Sequence, residues 1–213
     1  MIVYWLLLLP TAVVAYFLGS MSSITLASRF VFHKNLRRLG TGNIWLSNFR
    51  RQYGIPGALG LLLVELARDI IPILLGALLL GLKGHADVGR AFAGFCLILG
   101  QLYPLLYDFK GGHALVAMVT AAMFVDVSMG IAALVAALVV MLFTRSVAAG
   151  TIAGAVIMLS AAILIVDGSL LVRLCVFTAL LVLFKHIPAL IRILNRTDPK
   201  FSFRDDLSYK FDE

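Results

Sequence analysis

Charge is what this sequence has least of. Only 14% of its 213 residues are Asp, Glu, Lys or Arg, with 11 acids against 18 bases, whereas an ordinary soluble domain is about 25% charged. Too few polar residues remain to build a water-facing exterior, which excludes a water-soluble enzyme, a disordered chain and a nucleic-acid-binding module. Cysteine is equally scarce. Cys96 and Cys175 both lie inside apolar runs and read as small buried hydrophobes, with no disulfide framework, metal cluster or redox chemistry expected. No basic segment precedes the first apolar run, so that run is expected as a permanent span and not a cleaved leader. No internal repeat is visible either, which argues against the inverted-repeat transporters.

What the chain has in abundance is apolar sequence. It is 62% hydrophobic with a mean hydropathy of +1.01, a composition that belongs in a bilayer. A spanning helix needs about 20 predominantly apolar residues. Runs of this kind cover Ile2–Ser28, Pro56–Leu82, Val88–Tyr107, His113–Val125, Val127–Phe143, Ala148–Val166 and Ser169–Leu194. The fourth is short and separated from the fifth only around Asp126 and Ser128, so a tilted or re-entrant segment is an alternative there. The expectation is an all-α integral membrane protein of seven transmembrane helices, with five or six as the fallback count.

The net charge of +7 sets the orientation. The first long connection holds Arg29, Lys34, Arg37, Arg38, Arg50 and Arg51 and no acid, which assigns it to the cytoplasm. Lys110, Arg145 and the tail bases Arg192, Arg196, Lys200, Arg204 and Lys210 then fall inside, and Asp126 and Asp167 outside. Lys83 and Arg90 run against this pattern, partly offset by Asp87. The N-terminus is therefore expected outside and the C-terminus inside. Residues 1–194 are expected to form a single multi-pass domain, and 195–213 a short cytoplasmic tail.

In so apolar a chain the informative positions are the polar ones, because an unpaired polar group at membrane depth costs several kcal/mol. Arg37, Gly40, Thr41, Gly42, Asn43 and Asn48, with Arg50 and Arg51 behind them, have the makings of an anion nest. Glycines let backbone N–H groups converge, Thr and Asn add donors, and guanidiniums grip phosphate oxygens in pairs. An ordinary turn resting on lipid headgroups is the alternative. Trp45 reads as an interfacial anchor. The second cluster, Lys110-Gly111-Gly112-His113, is a turn feeding a helix N-terminus, where free N–H groups and the helix dipole favour an anion.

Thr144-Arg145 and Thr151 mark a third inner connection. Glu65, Arg68 and Asp69 sit on one helix at ion-pairing spacing and read as a structural pair. His186, beside Lys185, closes the last run, where snorkelling to the interface is the plainer role. Neither a metal-ligand spacing nor a Ser/His/Asp arrangement is legible. The combination points to phosphate recognition, with reaction by positioning and electrostatics.

These residues resemble the bacterial acyl-phosphate:glycerol-3-phosphate acyltransferases, the PlsY family, in order along nearly the whole chain. Gly19-Ser20 is similar to the family's Gly-Ser-Ile-Pro. Arg37 through Asn48, then Arg51, resembles Arg-x-x-Gly-Ser-Gly-Asn-x-Gly-Ala-Thr-Asn-x-x-Arg. Gly100-Gln101 through Pro104 and Phe109-Lys110-Gly111-Gly112-His113 resembles Gly-His-x-x-Pro and Phe-Lys-Gly-Gly-Lys-Gly. Thr144-Arg145 with Gly150-Thr151, and His186 with Thr197-Asp198-Pro199-Lys200, match the remaining motifs.

The resemblance implies seven helices in a bacterial inner membrane with the active site on the cytoplasmic side. The implied activity is transfer of a fatty acyl group from acyl phosphate to the 1-hydroxyl of glycerol 3-phosphate, giving lysophosphatidate for phospholipid synthesis. Thr41, Arg51 and His186 are implied as catalytic. Ser20, Arg37, Gly40, Gly42, Asn43, Asn48, Lys110, Gly111, Gly112, His113, Arg145 and Thr151 are implied as phosphate- and substrate-binding. The hydroxyl proton could pass to the departing phosphate, so no protein base is required.

No metal or other cofactor is implied. The expected partners are the two substrates and membrane lipids, with no nucleic acid, and a monomer is expected. The sequence departs from the pattern at His113 for lysine, Ala114 for glycine, Gln101 for histidine, Ala189 for asparagine and Trp45-Leu46 for Gly-Ala. His113 exchanges a constant charge for a conditional one, which bound phosphates would favour. Two other readings stay open: a catalytically impaired paralogue that binds phosphorylated lipid precursors or acts as a scaffold, and a small anion transporter.

Overall fold

The structure is a computed structural model that describes residues 2–23 and 46–198, with side chains over 6–23 and 54–198. Among these residues the chain is helical, without a β-strand. The helices are α1 (Ile2–Ser20), α2 (Leu46–Gly81), α3 (Ala86–Leu102), α4 (Leu115–Val125), α5 (Val127–Thr144), α6 (Val147–Ile165), α7 (Ser169–Lys185) and α8 (Ile187–Leu194). A 3₁₀ turn, Leu105–Tyr107, follows α3.

The polar residues at the helix ends explain where several elements begin. Asp126 ends α4 and caps α5, its carboxylate accepting from the Met129 N–H at 2.9 Å. Ser146 caps α6 by accepting from the Ala149 N–H at 3.1 Å. Each supplies a partner for an N–H that the first turn of a helix leaves unpaired. In α2 the chain leaves helical conformation at Gly54 (φ 71°, ψ −175°). The long apolar segment therefore starts beside Pro56, as the sequence leads one to expect.

The last apolar run differs from its expected form. Ser169–Leu194 is not one helix: α7 and α8 are bent by 49° at His186. Pro188 gives the reason, since it has no N–H to continue the α7 ladder but suits the first turn of a new helix. The fourth run is short as anticipated, with α4 spanning 11 residues.

Helix α3 sits at the centre, packed against α1, α2, α4 and α7, while α6 lies between α5 and α7. The interior is built from Ile73, Leu97, Ile98, Met118, Met158 and Val182 among many alanines. Small residues let helices approach closely where lipid offers no hydrophobic drive for association. The α1–α3 crossing shows this directly: a Cβ on Gly100 would run into the Tyr16 carbonyl, and one on Gly19 into the carbonyl of Leu97. Outward faces are apolar as well, with Phe143 88% and Leu164 80% exposed, the reverse of a water-facing surface. Among the described residues three helical segments are long and apolar enough to cross a bilayer, and a fourth if α7 and α8 form one bent span.

Candidate functional site

A cavity of about 960 Å³ opens between α1, α2, α3, the loop before α4, α4, α5, α7 and α8. Its wall is divided by chemistry. Leu62, Leu66, Val119, Leu134, Leu138 and Met141 give it a long apolar side. Its polar lining falls into two groups: Lys110, His113, Lys185, His186 and Arg192 in one, and Glu65, Arg68, Gln101, Ser20 and Ser23 in the other.

The cationic group is shaped by the loop between α3 and α4. Asp108 (φ 53°), Phe109 (φ 58°) and Ala114 (φ 53°) all hold left-handed backbone without being glycine. Such conformations cost about 1 kcal/mol or more per residue and cluster where a site needs them. The loop is tied back to α3 by the Gly112 N–H donating to the Gln101 carbonyl at 3.3 Å. A Cβ at Gly111 would collide with the carbonyls of Gln101 and Leu102, so glycine is required for that approach. The loop delivers the chain into α4, whose first turn has no side-chain cap; its leading N–H groups and positive dipole end are arranged to receive an anion.

His186 occupies the α7–α8 bend, 3% exposed. Its Nδ1 lies 2.8 Å from the Val182 carbonyl, and its Nε2 lies 3.3 Å from Nδ1 of His113. Lys185 places its ammonium 4.2 Å from the centre of the Tyr103 ring, a cation–π contact that holds it at the cavity edge. Arg192, two turns along α8, is 3.6 Å from the Asp198 carboxylate. Asp198 also accepts a hydrogen bond from the Ser146 hydroxyl, so the start of the tail is fastened to the α5–α6 turn.

The other group is an internal network. Arg68 donates to Asp69 from Nε at 3.0 Å and Nη2 at 2.7 Å, and to the Met21 carbonyl from Nη1 at 2.6 Å. Glu65 stands 3.5 Å from the same guanidinium and accepts from the Gln101 amide at 3.0 Å. The expected Glu65–Arg68 pair is present, but Asp69 holds Arg68 more closely.

Of the site residues expected from sequence, the structure brings Ser20, Lys110, Gly111, Gly112, His113 and His186 to one cavity. Ser20 donates from Oγ to the Gly100 carbonyl at 3.4 Å. Arg145 is exposed at the end of α5, and Thr151 is buried with its hydroxyl donating to Val147 of its own helix at 2.9 Å; neither lines the cavity. Arg37, Gly40, Thr41, Gly42 and Asn43 lie outside the described residues, and Asn48 and Arg51 are placed on α2 by their backbone alone.

Sequence reasoning places Gln101 in or beside the pocket, and it does line the cavity, but it missed Lys185 and Arg192 in the wall. For Arg192 a signal existed: His186, Ala189 and Arg192 recur every third residue along one helical face. For the partner of Gln101 none did, since Glu65 is on another helix.

A bundle of helices with apolar outer faces, enclosing a cavity lined by apolar side chains and by Lys110, Lys185 and Arg192, has the form of a membrane protein. The profile of the glycerol-3-phosphate acyltransferase family matches residues 9–196, and the chain belongs to that family. A glycerol-3-phosphate acyltransferase of Thermoanaerobacter sp. (strain X514) is 24% identical over 197 residues, covering 92% of this chain and 97% of the relative. One from Pseudomonas putida (strain ATCC 700007) is 39% identical over 109 residues, 51% of this chain and 53% of the relative. The fold resembles the crystal structure of PlsY (YgiH), an integral membrane glycerol 3-phosphate acyltransferase, in its glycerol 3-phosphate form. That match has a TM-score of 0.74 at 21% identity and covers 92% of this chain and 96% of that one. The lysophosphatidic acid form of the same protein also gives a TM-score of 0.74, at 20% identity.

Proposed function

We propose that this protein transfers a fatty acyl group from acyl phosphate to the 1-hydroxyl of glycerol 3-phosphate, forming lysophosphatidate in a bacterial inner membrane. The observation that carries this reading is one cavity joining an apolar side to a cluster of Lys110, Lys185 and Arg192 around the His113–His186 pair. An acyl phosphate needs both surfaces, and glycerol 3-phosphate needs the second. In this reading the chain spans the membrane seven times as one domain over residues 1–194, with its N-terminus outside. The 195–213 tail and the cavity mouth face the cytoplasm, where both phosphates arrive.

Reaction requires the glycerol oxygen to attack the acyl carbonyl carbon while the carbon–oxygen bond to phosphate breaks. Clamping both phosphates brings oxygen and carbon together, converting a bimolecular encounter into a positioned one. Cations around the departing phosphate stabilise the charge it gains. Lys110, Gly111, Gly112 and the N-terminus of α4 form one half of that clamp, and Arg37, Gly40, Thr41, Gly42, Asn43, Asn48 and Arg51 are assigned to the other. His186 supports the pocket at the α7–α8 bend, and Ser20 closes it near α1.

Purified protein given acyl phosphate and radiolabelled glycerol 3-phosphate is expected to form labelled lysophosphatidate. Product no greater than that of an Arg51→Ala control would remove this reading.

A further inference from the structure

Among the described residues two arginines line the cavity, Arg68 and Arg192, and their donors are used differently. Arg68 gives Nε, Nη1 and Nη2 to Asp69 and the Met21 carbonyl. Arg192 is held through Nε, 3.6 Å from Oδ1 of Asp198, and its Nη groups have no partner among the described residues. A guanidinium carries its N–H donors in one rigid plane. Arg192 therefore keeps a pair of nitrogens for an oxyanion, whereas Arg68 does not.

Asp198 is itself fixed from two sides. Helix α8 ends in a Schellman turn, in which the Arg196 N–H donates to the Ile193 carbonyl at 3.0 Å and the Thr197 N–H to the Arg192 carbonyl at 2.9 Å. Arg196 holds the left-handed backbone (φ 59°) that this motif requires. Thr197 adds a bond from Oγ1 to the same Arg192 carbonyl at 3.3 Å. The turn folds the chain back, so that Asp198 faces the side chain of Arg192. From the other side the Ser146 hydroxyl donates to Oδ2 of Asp198, while Ser146 Oγ accepts from the Ala149 N–H at 3.1 Å. The start of α6 is thus connected through Ser146 and Asp198 to an arginine in the cavity wall, and each carboxylate oxygen of Asp198 has a partner.

We propose that Arg192 binds the phosphate of a substrate of the acyl transfer and that Asp198 is the residue that positions it; this rests on the acyltransferase reading above. The ligand group is a terminal phosphate, which glycerol 3-phosphate and acyl phosphate both carry. Two of its oxygens accept from the two Nη groups, a paired geometry that a lysine cannot supply. Asp198 does not touch the ligand. By holding Nε it sets the plane of the guanidinium before substrate arrives, so that binding does not have to order a long side chain. The first residues after α8 are in this way part of the site.

The experiment measures kcat and KM for each substrate, and the melting temperature in detergent, on purified full-length protein. The enzymes are the wild type, Arg192→Ala, Arg192→Lys, Asp198→Asn and the double variant Arg192→Ala with Asp198→Asn. Acyl phosphate and radiolabelled glycerol 3-phosphate are varied in turn. Arg192→Ala is expected to raise KM about 10- to 100-fold for the substrate whose phosphate it holds and to change the other about threefold or less, which identifies that substrate. Arg192→Lys keeps the charge but not the fork, and is expected to raise the same KM about fivefold. Asp198→Asn keeps a hydrogen-bonding group for Ser146 but removes the ionic partner of Arg192. It is expected to raise the same KM about three- to tenfold in the wild type and to add nothing in the Arg192→Ala background, where no guanidinium is left to position.

Wild-type KM values for both substrates in Arg192→Ala would overturn the proposal. Arg192→Lys guards against an alanine variant that does not fold: wild-type KM values in the lysine enzyme would overturn the paired contact in the same way. An Asp198→Asn effect on KM as large in the Arg192→Ala background as in the wild type would make Asp198 a support of the fold, and would overturn its positioning role. No lysophosphatidate from the wild type would overturn the acyltransferase reading itself, a result distinct from these.

Discussion

The two polar groups of the cavity wall are built by opposite means. In one, Glu65, Arg68, Asp69 and Gln101 project from regular stretches of α2 and α3 and satisfy one another, so that Arg68 spends its donors on Asp69 and the Met21 carbonyl. In the other, Lys110 and His113 are held by a loop containing three left-handed non-glycine residues and opening onto an uncapped helix. The first holds the helices together. The second tolerates strained backbone at Asp108, Phe109 and Ala114, a cost that structures accept where a special geometry is needed.

That contrast is tested most severely at Arg68. Removing one partner from a buried ionic network strands the others, at a cost of about 3–5 kcal/mol. Arg68→Ala is therefore expected to lower thermal stability in detergent sharply, and to reduce activity only through loss of folded protein. Unchanged stability would mean that the network is not structural.

Lys110→Ala should behave in the opposite sense. Lys110 is exposed on the loop, so little packing is lost. A charge-assisted contact to phosphate contributes about 1.5–3 kcal/mol, which corresponds to a rise of about 10- to 100-fold in KM for a phosphate substrate. The melting temperature should stay where it is. Equal effects of Lys110→Ala and Arg68→Ala on stability would erase the distinction between the two groups.

How much of this could be read beforehand follows the same division. The apolar runs predict α5 and α6 nearly to their ends, because membrane helices declare themselves by length and hydropathy, whereas the run Val88–Tyr107 carries past the end of α3 at Leu102 into the 3₁₀ turn. The Glu65–Arg68 pair was visible because both partners share one helix face. The Lys110-Gly111-Gly112-His113 turn was visible as an anion loop because glycine and charge act locally. What could not be read is whatever joins distant segments: the Gln101 amide reaching Glu65 from 36 positions away and His113 meeting His186 from 73 positions away. The bend at His186 was missed for another reason. Hydropathy continues through Pro188 unbroken, so a run of apolar residues concealed the break that a proline imposes.

Gln101 refines the contrast, since it belongs to the structural group yet departs from the motif that the sequence resembles. Its amide donates to Glu65 at 3.0 Å, and its carbonyl oxygen is buried without a partner. Gln101→Leu would leave Glu65 with less compensation for burial, a cost of about 1–2 kcal/mol. A smaller loss than at Arg68, read in the same melting experiment, would rank the two within one network. Restoration of stability by a second substitution, Glu65→Leu, would show that the cost lies in the stranded acid.

The smallest effect is expected at Ala114, and its smallness is what makes it informative. Ala114 sits at φ 53° and ψ 21°, immediately before α4, in a region where a Cβ crowds the backbone. An L-residue held there costs about 1–2 kcal/mol, while glycine occupies it freely and loses about 0.5–1 kcal/mol through the extra entropy of its unfolded chain. Ala114 is also buried, 3% exposed, so glycine forfeits a buried methyl worth about 0.8 kcal/mol. Relief of strain offsets the other two losses, and Ala114→Gly is expected to leave the melting temperature close to that of the wild type. A drop as large as that of Gln101→Leu would show that the loop carries no strain at this residue, and the difference in construction between the two polar groups would then rest on charge alone.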